Sequence, residues 1–371
     1  MKKKLAILAL GAMVAFLQLM AFAETPADAG TKTKMSFPGK KWALQIELPN
    51  LEITDSKFME DGQSRTIGGN CKLEDGGKIN MSIFMEKAKG KGDSKACRDF
   101  YSKRMGNSPL KPEEGSLKQS EKGNLAIREY LIGAPLNQKH LNIFIANDDV
   151  WIDIHISRVL WEDSFQEAFD KIIDSVKIEK LADKDVMKYT SKFNAQYQKA
   201  LGFYQKKQWK DAEKGLLEMQ KTAQNISLIP IWLGNVYYYQ KNLPNAIKYY
   251  EQTLSQEYGN RFVADNQMRA TIDNLGMAYG MSGNLKKAEE TLQSGLKRYP
   301  FYPHFYYNLA CTYAEGKNSD KALEYLELAF QKAESYKEEP LGSALNDSSF
   351  ETLKQDPRFM ELLKKYNRDS E

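Results

Sequence analysis

Residues 36–180 alternate apolar and polar positions over several short stretches, which is typical of strands buried on one face. A tight hairpin is predicted at IANDDVW (145–151), where a short polar loop joins two such stretches. Residues 93–105 and 162–176 instead place apolar residues at helical spacing. This part of the chain therefore predicts an antiparallel sheet with two helices packed on it. The predicted strands cover residues 42–48, 78–86, 125–132, 141–147 and 150–157.

From about residue 185 the apolar positions follow a helical period, and the whole pattern recurs. Four alanines that follow short polar turns are 34, 42 and 34 residues apart. A small residue stands twelve positions before each alanine, and a large apolar residue stands four positions after it. Small residues let two helices approach closely, and large ones fill the space against the next unit. The alanines are Ala212, Ala246, Ala288 and Ala322; the small residues are Ala200, Gly234, Gly276 and Ala310; the large residues are Leu216, Tyr250, Leu292 and Leu326.

This pattern resembles the tetratricopeptide repeat, a helix-turn-helix unit with a period of about 34 residues. The resemblance covers about residues 185–335, and Pro300 stands at the family's closing-proline position. The spacing of 42 is one period plus eight residues, which we place around EYGNRFVADN (257–266). The first unit departs from the pattern, because Lys199 stands where a leucine is expected. Residues 340–366 resemble the cap that closes such arrays. The resemblance thus implies an all-α solenoid of helical hairpins with a C-terminal cap over residues 185–371.

In this family the first helix of each hairpin lines a concave groove, and the family's groove positions can be carried onto this sequence. The groove they imply is aromatic and mildly polar, and it suits an extended or helical peptide. Tyr197, Ile231 and Asp273 stand where a carboxylate-gripping groove needs lysine, so recognition of a chaperone-type C-terminal tail is not expected. The implied groove residues are Tyr197, Tyr204, Asn235, Tyr238, Asp273, Met277, His304 and Tyr307.

The order of elements in residues 36–180 also carries a resemblance. A tryptophan-led first strand (WALQIEL, 42–48) is followed late in this part by DVWIDI (149–154), and then by a closing helix and a short strand. This order resembles PsbP-like domains. The resemblance implies a binding or assembly module. The predicted fold class of the whole chain is α+β: an antiparallel sheet with packed helices, followed by the helical solenoid. A charged stretch at 181–187 is the predicted junction.

The start of the chain has the order of a secretory signal. Three lysines precede an apolar run from Leu5 to about Phe22, and the small-x-small tripeptide 21–23 follows. We expect residues 1–23 to be cleaved and the protein to be exported, to a periplasm or out of the cell. An uncleaved membrane anchor is the alternative, because the apolar run is close to spanning length. No later segment is apolar enough to span a bilayer.

Charge argues against some classes of partner. Removal of residues 1–23 takes away three lysines and no acids, which lowers the formal net charge from +4 to +1. A nearly balanced chain with interspersed signs has no electrostatic reason to bind nucleic acid or anionic lipid. A protein or peptide partner is therefore expected.

Cysteine usage leaves two alternatives open. Cys71 and Cys97 lie 26 positions apart in the first part of the chain. In an oxidising compartment they could form a disulfide, or they could be two buried free thiols. Cys311 lies among apolar helix residues, where a core position is expected.

A search for chemistry along the chain gives little. The three histidines have no metal partner at ligand spacing, and no Gly-rich phosphate loop or G-x-S-x-G motif occurs. We therefore predict no catalytic residue, no metal and no cofactor. The predicted function is an exported scaffold that binds a protein or peptide in its repeat groove. The alternative is an envelope small-ligand binder, or an enzyme, with its site in the first domain.

Overall fold

The computed structural model describes residues 31–59, 63–72, 77–105, 111–223, 225–259 and 261–368. The signal predicted at 1–23 lies outside these residues. Strands occupy the first part of the described chain, together with two α-helices, α1 (Ser94–Met105) and α2 (Gln166–Ser175). The strands are β1 (Thr31–Ser36), β2 (Trp42–Leu48), β3 (Leu51–Phe58), β4 (Ser64–Lys72), β5 (Lys78–Lys87), β6 (Lys118–Lys122), β7 (Leu125–Ile132), β8 (Gln138–Asn147), β9 (Val150–Arg158) and β10 (Lys177–Lys180).

The strands form two antiparallel sheets. One has the order β1-β2-β10, and the other has the order β3-β4-β5-β9-β8-β7-β6. A core of Trp42, Leu44, Ile46 and the inward residues of β5, β8 and β9 lies between them, with Phe169 and Ile172 of α2. Helix α1 covers the other face of the larger sheet, where Cys97 and Tyr101 pack on Phe144 and Trp151. The prediction of an antiparallel sheet with packed helices is confirmed.

The β8–β9 hairpin has the tight turn that its sequence predicts. Asn147 pairs with Val150, so Asp148 and Asp149 form a two-residue loop, and Asp148 has a φ of 52°. A left-handed residue of this kind matches the right-handed twist of the flanking strands. The alternation in β9 places Ile152, Ile154 and Ile156 in the core between the sheets.

Eight helices follow as four antiparallel hairpins in the described residues. A 3-10 helix (Ser348–Gln355) and α11 (Pro357–Lys365) pack on the last hairpin. The apolar residues predicted for this cap are buried: Phe350, Leu353, Phe359, Leu362 and Leu363. No helix among the described residues combines the length and apolar content that a membrane crossing needs. The hairpin helices are α3 (Ser191–Gln205), α4 (Trp209–Gln220), α5 (Leu228–Tyr239), α6 (Leu243–Gly259), α7 (Asp265–Met281), α8 (Leu285–Arg298), α9 (Pro303–Glu315) and α10 (Ser319–Ser335).

The recurring small residues lie where the two helices of a hairpin touch. At Gly234 an added Cβ would lie 2.5 Å from Cε1 of the Tyr250 ring, and at Gly276 it would lie 2.7 Å from Leu292. Both large side chains are fully buried, and the alanines at the matching positions of the other hairpins are buried too. The contact between α5 and α6 therefore depends on the missing side chain at Gly234.

We expect Gly234→Ala to destabilise the protein by about 1–3 kcal/mol, because the Tyr250 ring has no free space to move into. Gly280→Ala is the matched control on α7, where the new Cβ would lie 4.0 Å from the Cβ of Ala288. Replacing a glycine in the last turn of α7 by alanine should stabilise the protein by up to about 0.5–1 kcal/mol. Urea unfolding of both variants measures the difference. Equal stability of the two would contradict the close contact.

Each hairpin turns through one residue in the left-handed conformation, always at the same position of the repeat. These residues are Lys207, Lys241, Gly283 and Lys317, with φ between 57° and 81°. The next amide in each turn donates to a carbonyl five residues back, for example Asn242 N to Tyr237 O at 2.9 Å. The turns are therefore geometrically equivalent along the array.

The eight extra residues of the array dock the two parts of the protein together. The segment after α6 inserts Phe262 between the halves, and Phe262 stacks on Phe58 of β3 with ring centroids 4.9 Å apart. Phe58 also stacks on Tyr189, just before α3, at 4.4 Å. Arg261 N donates to the Lys34 carbonyl at 2.9 Å. The insertion thus serves as the main contact with the sheets.

Buried charges complete this contact. The guanidinium of Arg65 on β4 is fully buried and donates to the carbonyls of Ser36 and Arg261, at 2.6 and 2.7 Å. Asp265, at the start of α7, accepts from the Ile53 amide at 2.5 Å and pairs with Arg261 at 2.9 Å. Two of these bonds, from Arg65 to the Arg261 carbonyl and from the Ile53 amide to Asp265, exist only when the sheets and the repeats are docked, so the two parts stabilise each other.

Candidate functional site

Two residues predicted for the groove lie instead in contacts between successive first helices. Trp232 Nε1 donates to the Tyr197 hydroxyl at 2.7 Å, and Asn308 Nδ2 donates to Asp273 Oδ1 at 2.6 Å. Tyr197 and Asp273 are 8% and 9% exposed. Burial raises the pKa of Asp273 to about 6, and the bond from Asn308 opposes that shift. The prediction of these two as groove surface is corrected, because the next repeat covers them.

The fourth hairpin is covered by the chain's own C-terminal segment. The hydroxyl of Tyr307 donates to Asp347 at 3.0 Å, and its ring meets Phe350 edge to face at 5.6 Å. His304 Nε2 lies 3.2 Å from the carbonyl oxygen of Glu339. Tyr307 is buried and His304 is half-buried. Tyr307 is thus also corrected as a groove residue, and the surface that stays accessible lies on the first three hairpins.

The remaining predicted residues lie on that accessible surface. Asn235 and Tyr238 are half-buried on α5, and Met277 is exposed on α7. Asn235 Oδ1 accepts from the Tyr250 hydroxyl at 2.8 Å, which fixes the amide, and the Tyr238 hydroxyl lies 3.5 Å from the sulfur of Met281. Burial raises the pKa of Tyr238, so its hydroxyl is uncharged at neutral pH.

Three further residues, which the family positions did not include, extend this surface. Trp209 stacks on Tyr239 with ring centroids 5.1 Å apart and an angle of 6°, and Tyr204 meets both rings edge-on. Tyr239 and Met281 are 55% and 50% exposed. The run of three tyrosines at 237–239 is a sequence signal for Tyr239 alone. We call the set the aromatic surface: Tyr204, Trp209, Tyr238, Tyr239, Met277 and Met281.

A cavity of about 330 Å³ opens beside the aromatic surface. Tyr204, Trp209 and Tyr239 border it together with Gln205 and Lys207. A second, larger cavity of about 1080 Å³ lies between α4 and α6 and is lined mainly by lysine, glutamate and glutamine side chains such as Lys214 and Gln252. Apolar area removed from water drives most protein association, so the smaller, aromatic cavity is the better candidate.

Comparison with known families identifies the helical part. Residues 225–300 and 303–335 match models of the tetratricopeptide repeat. The tetratricopeptide repeats expected from the sequence are therefore confirmed over these two segments. The match covers the second, third and fourth hairpins; the first hairpin, in which Lys199 departs from the pattern, precedes it.

Solved structures of tetratricopeptide-repeat proteins are similar to part of the chain. MamA from Desulfovibrio magneticus RS-1 is 16% identical, with a TM-score of 0.35, over 39% of this chain and 77% of that one. YrrB, described as a TPR protein with an unusual peptide-binding site, is 18% identical, with a TM-score of 0.34, over 47% and 80%. A repeat protein from Parabacteroides merdae ATCC 43184 is 19% identical, with a TM-score of 0.36, over 48% and 68%. No curated protein matches the chain.

The sheet that precedes the tetratricopeptide repeats contains a polar cluster on the face toward α1. His140 Nδ1 lies 2.9 Å from His155 Nε2, and Asn142 donates to Asp153 at 2.9 Å while accepting from Arg128 at 3.0 Å. Burial lowers the pKa of His140 to about 4 and raises that of Asp153 to about 6. The ring nitrogen of His155 thus has a second histidine as its partner.

This cluster bears on the alternative of a ligand or catalytic site in the first domain. Its members use their polar atoms largely on one another, which is the arrangement of a structural network. Among the described residues, no group of three or more His, Cys, Asp or Glu side chains is placed to hold a metal ion. The aromatic surface of the repeats is therefore the site that we develop.

The two cysteines of the first domain lie in separate cores. Cys71 on β4 is part of the core between the sheets, whereas Cys97 on α1 lies on the opposite face of the larger sheet and is 3.8 Å from the Ile152 carbonyl. Both thiols are free. Burial raises the pKa of each to about 12, which keeps them protonated and unreactive. Of the two alternatives drawn from the sequence, the structure has the pair of buried free thiols and not the bridge.

Proposed function

We propose that this protein is an exported, non-catalytic scaffold that holds a protein or peptide partner on the aromatic surface of its tetratricopeptide repeats. The observation that carries the proposal is the exposure of Tyr239, Met277 and Met281, which Tyr238 links: its ring centroid lies 6.0 Å from that of Tyr239 and its hydroxyl lies 3.5 Å from the sulfur of Met281. By contrast, the recurring large apolar residues of the second helices, such as Tyr250 on α6 and Leu292 on α8, are fully buried. Contiguous exposed aromatic and methionine side chains favour a docking surface.

The first domain has a supporting role in this proposal. Its docking to the insertion at 261–265 fixes it to the start of α7, and Glu52 of β3 pairs with Arg269 of α7 at 2.8 Å. A rigid support of this kind holds the first helices at a fixed spacing, which lowers the conformational entropy that the repeats lose when a partner binds. The resemblance to PsbP-like assembly modules agrees with such a role.

The binding proposal predicts a specific loss. The double variant Tyr239→Ala/Met281→Ala should weaken capture of the partner roughly thirtyfold, because buried aromatic and methionine contacts of this kind contribute about 2 kcal/mol. The measurement is recovery of partners by the tagged full-length protein from the exported fraction of its host. Phe301→Ala is the matched control, since Phe301 is 58% exposed but lies outside the aromatic surface. Equal recovery by the three proteins would refute the assignment of the surface.

The export part of the proposal has its own test. We expect the mature protein, purified from its host, to begin at Glu24, because cleavage follows the small-x-small tripeptide at 21–23. Mass spectrometry of the intact chain measures this directly. A chain that keeps Met1 and remains in the membrane fraction would support the anchor alternative instead.

A further inference from the structure

Three of the four hairpin turns carry a lysine at a position where glycine would cause the least strain, and two of these turns, with Lys207 and Lys241, lie beside the aromatic surface. Lys207, Lys241 and Lys317 adopt the left-handed conformation, which a residue with a Cβ enters only at a cost. Gly283 fills the same position in the third turn, so the turn itself does not require a lysine. A side chain retained where the backbone disfavours it points to a role for that side chain.

These lysines have no internal partner in the described part of the chain. Lys207, Lys241 and Lys317 are exposed, and none of them forms an ion pair with another described residue. By contrast, Lys221 and Lys287 of the same array each have a glutamate oxygen within 4.0 Å. The turn lysines are therefore available to charges outside the protein.

The lysines also lie next to the apolar contacts. Lys207 borders the cavity that Tyr204, Trp209 and Tyr239 enclose. Lys241 follows Tyr239 by two residues and repeats the position of Lys207 one hairpin further on. A positively charged edge thus runs beside the aromatic surface, across the first two hairpins. A partner that packs an apolar side chain on Tyr239 brings its neighbouring residues to this edge.

We infer that the partner segment is an acidic peptide, with an apolar side chain on Tyr239 and Met281 and with carboxylates beside Lys207 and Lys241. The inference rests on the proposed function and names the chemistry of its partner. A nucleic acid fits less well, because Asp211 and Glu213 stand on α4 within a few residues of Lys207 and would repel a continuous row of phosphates. Spaced carboxylates avoid those acids.

The test uses the full-length protein and three pools of synthetic peptides. The pools share the same leucine and phenylalanine positions and carry glutamate, glutamine or lysine elsewhere. We expect the glutamate pool to bind about three- to tenfold more tightly than the glutamine pool, since two exposed ion pairs contribute modestly. The preference should fall as salt is raised. Fluorescence anisotropy of labelled peptides measures the affinities.

The double variant Lys207→Gly/Lys241→Gly should remove this preference, so that the glutamate and glutamine pools bind with equal affinity. Because Gly283 fills the same turn position, these substitutions keep the turn intact. Lys177→Gly/Lys180→Gly, on exposed β10 residues, makes the same change of charge away from the surface and should keep the preference.

The outcomes separate the two proposals. If the three pools bind equally and the variant Tyr239→Ala/Met281→Ala binds none of them, the inference of an acidic partner is wrong, but the proposed docking surface is supported. Tighter binding of the lysine pool would overturn the inference. So would displacement of the peptides by single-stranded oligo-dT, if that displacement is lost in the Lys207→Gly/Lys241→Gly variant. Absence of binding by every pool would contradict both the acidic partner and the peptide-binding surface.

Discussion

Arg65→Ala is expected to destabilise the whole chain by about 3–5 kcal/mol, because two buried carbonyls lose their donors and a large side chain leaves a cavity. The guanidinium donates to Ser36 and Arg261 and lies 4.9 Å from the ring centroid of Phe58 and 5.4 Å from that of Phe262. Burial lowers the pKa of Arg65 to about 10, so it remains charged at neutral pH. One side chain therefore joins the sheets to the insertion of the repeats.

The measurement is urea unfolding of full-length protein, followed by signals from both parts. Wild type should unfold in one transition, whereas Arg65→Ala should separate the sheet from the repeats into two transitions. Lys57→Ala is the control on the neighbouring strand β3, where the side chain is 70% exposed, and its effect should stay within about 0.5 kcal/mol. If Arg65→Ala unfolds like Lys57→Ala, the two parts are not coupled through this residue.

Phe305→Ala should cost about 3–5 kcal/mol, the usual range for a fully buried phenylalanine. Phe305 begins the fourth hairpin and is 0% exposed. It packs against Gly295 of the third hairpin, where an added Cβ would lie 2.8 Å from the ring, and meets Tyr302 edge to face at 4.8 Å. The variant therefore loses stability at the contact between two neighbouring repeats. Contacts of this kind stabilise a repeat array together with the stability of each single repeat.

Phe301→Ala provides the comparison, since the same residue type lies four positions earlier and is 58% exposed. Its effect should be below about 1 kcal/mol. Thermal unfolding of the two variants measures the difference in one experiment. A similar drop in melting temperature for both would mean that the third and fourth hairpins do not stack through Phe305.

The contacts within a hairpin could be predicted because they recur. Gly234 against Tyr250 and Gly276 against Leu292 are the same contact in successive units, so the period of the sequence reveals it. A strand with one buried face, such as β9, is equally visible in a single stretch. Local patterns of this kind depend only on residues close in the sequence.

The β3–β4 hairpin was not predicted, and the reason is physical. LEITDSKF carries charged residues among its apolar ones, and Arg65 reads as a surface residue. Ile53, Phe58 and Arg65 each take a partner from the segment at 261–265, about 200 positions later in the chain. Burial that depends on a distant insertion leaves no period in the sequence.

The groove was predicted in part for a related reason. The family's groove positions correctly placed Tyr204, Asn235, Tyr238 and Met277 on an accessible surface. Other groove positions are covered by the first helix of the following hairpin, and the stacking of the hairpins decides which ones. Tyr197 is covered in this way by Trp232. The exposed side chain of Tyr239 follows from the same stacking, and no single repeat reveals it.

Site-specific photo-crosslinking in the native host tests the central claim most directly. A benzophenone amino acid is placed at position 239, on the aromatic surface, or at position 301, which is equally exposed but lies outside it. We expect a discrete adduct from position 239 that is absent from position 301 and is lost when Met281→Ala is added. Adducts from position 301 alone, or the same adducts from both positions, would contradict a partner held on the aromatic surface.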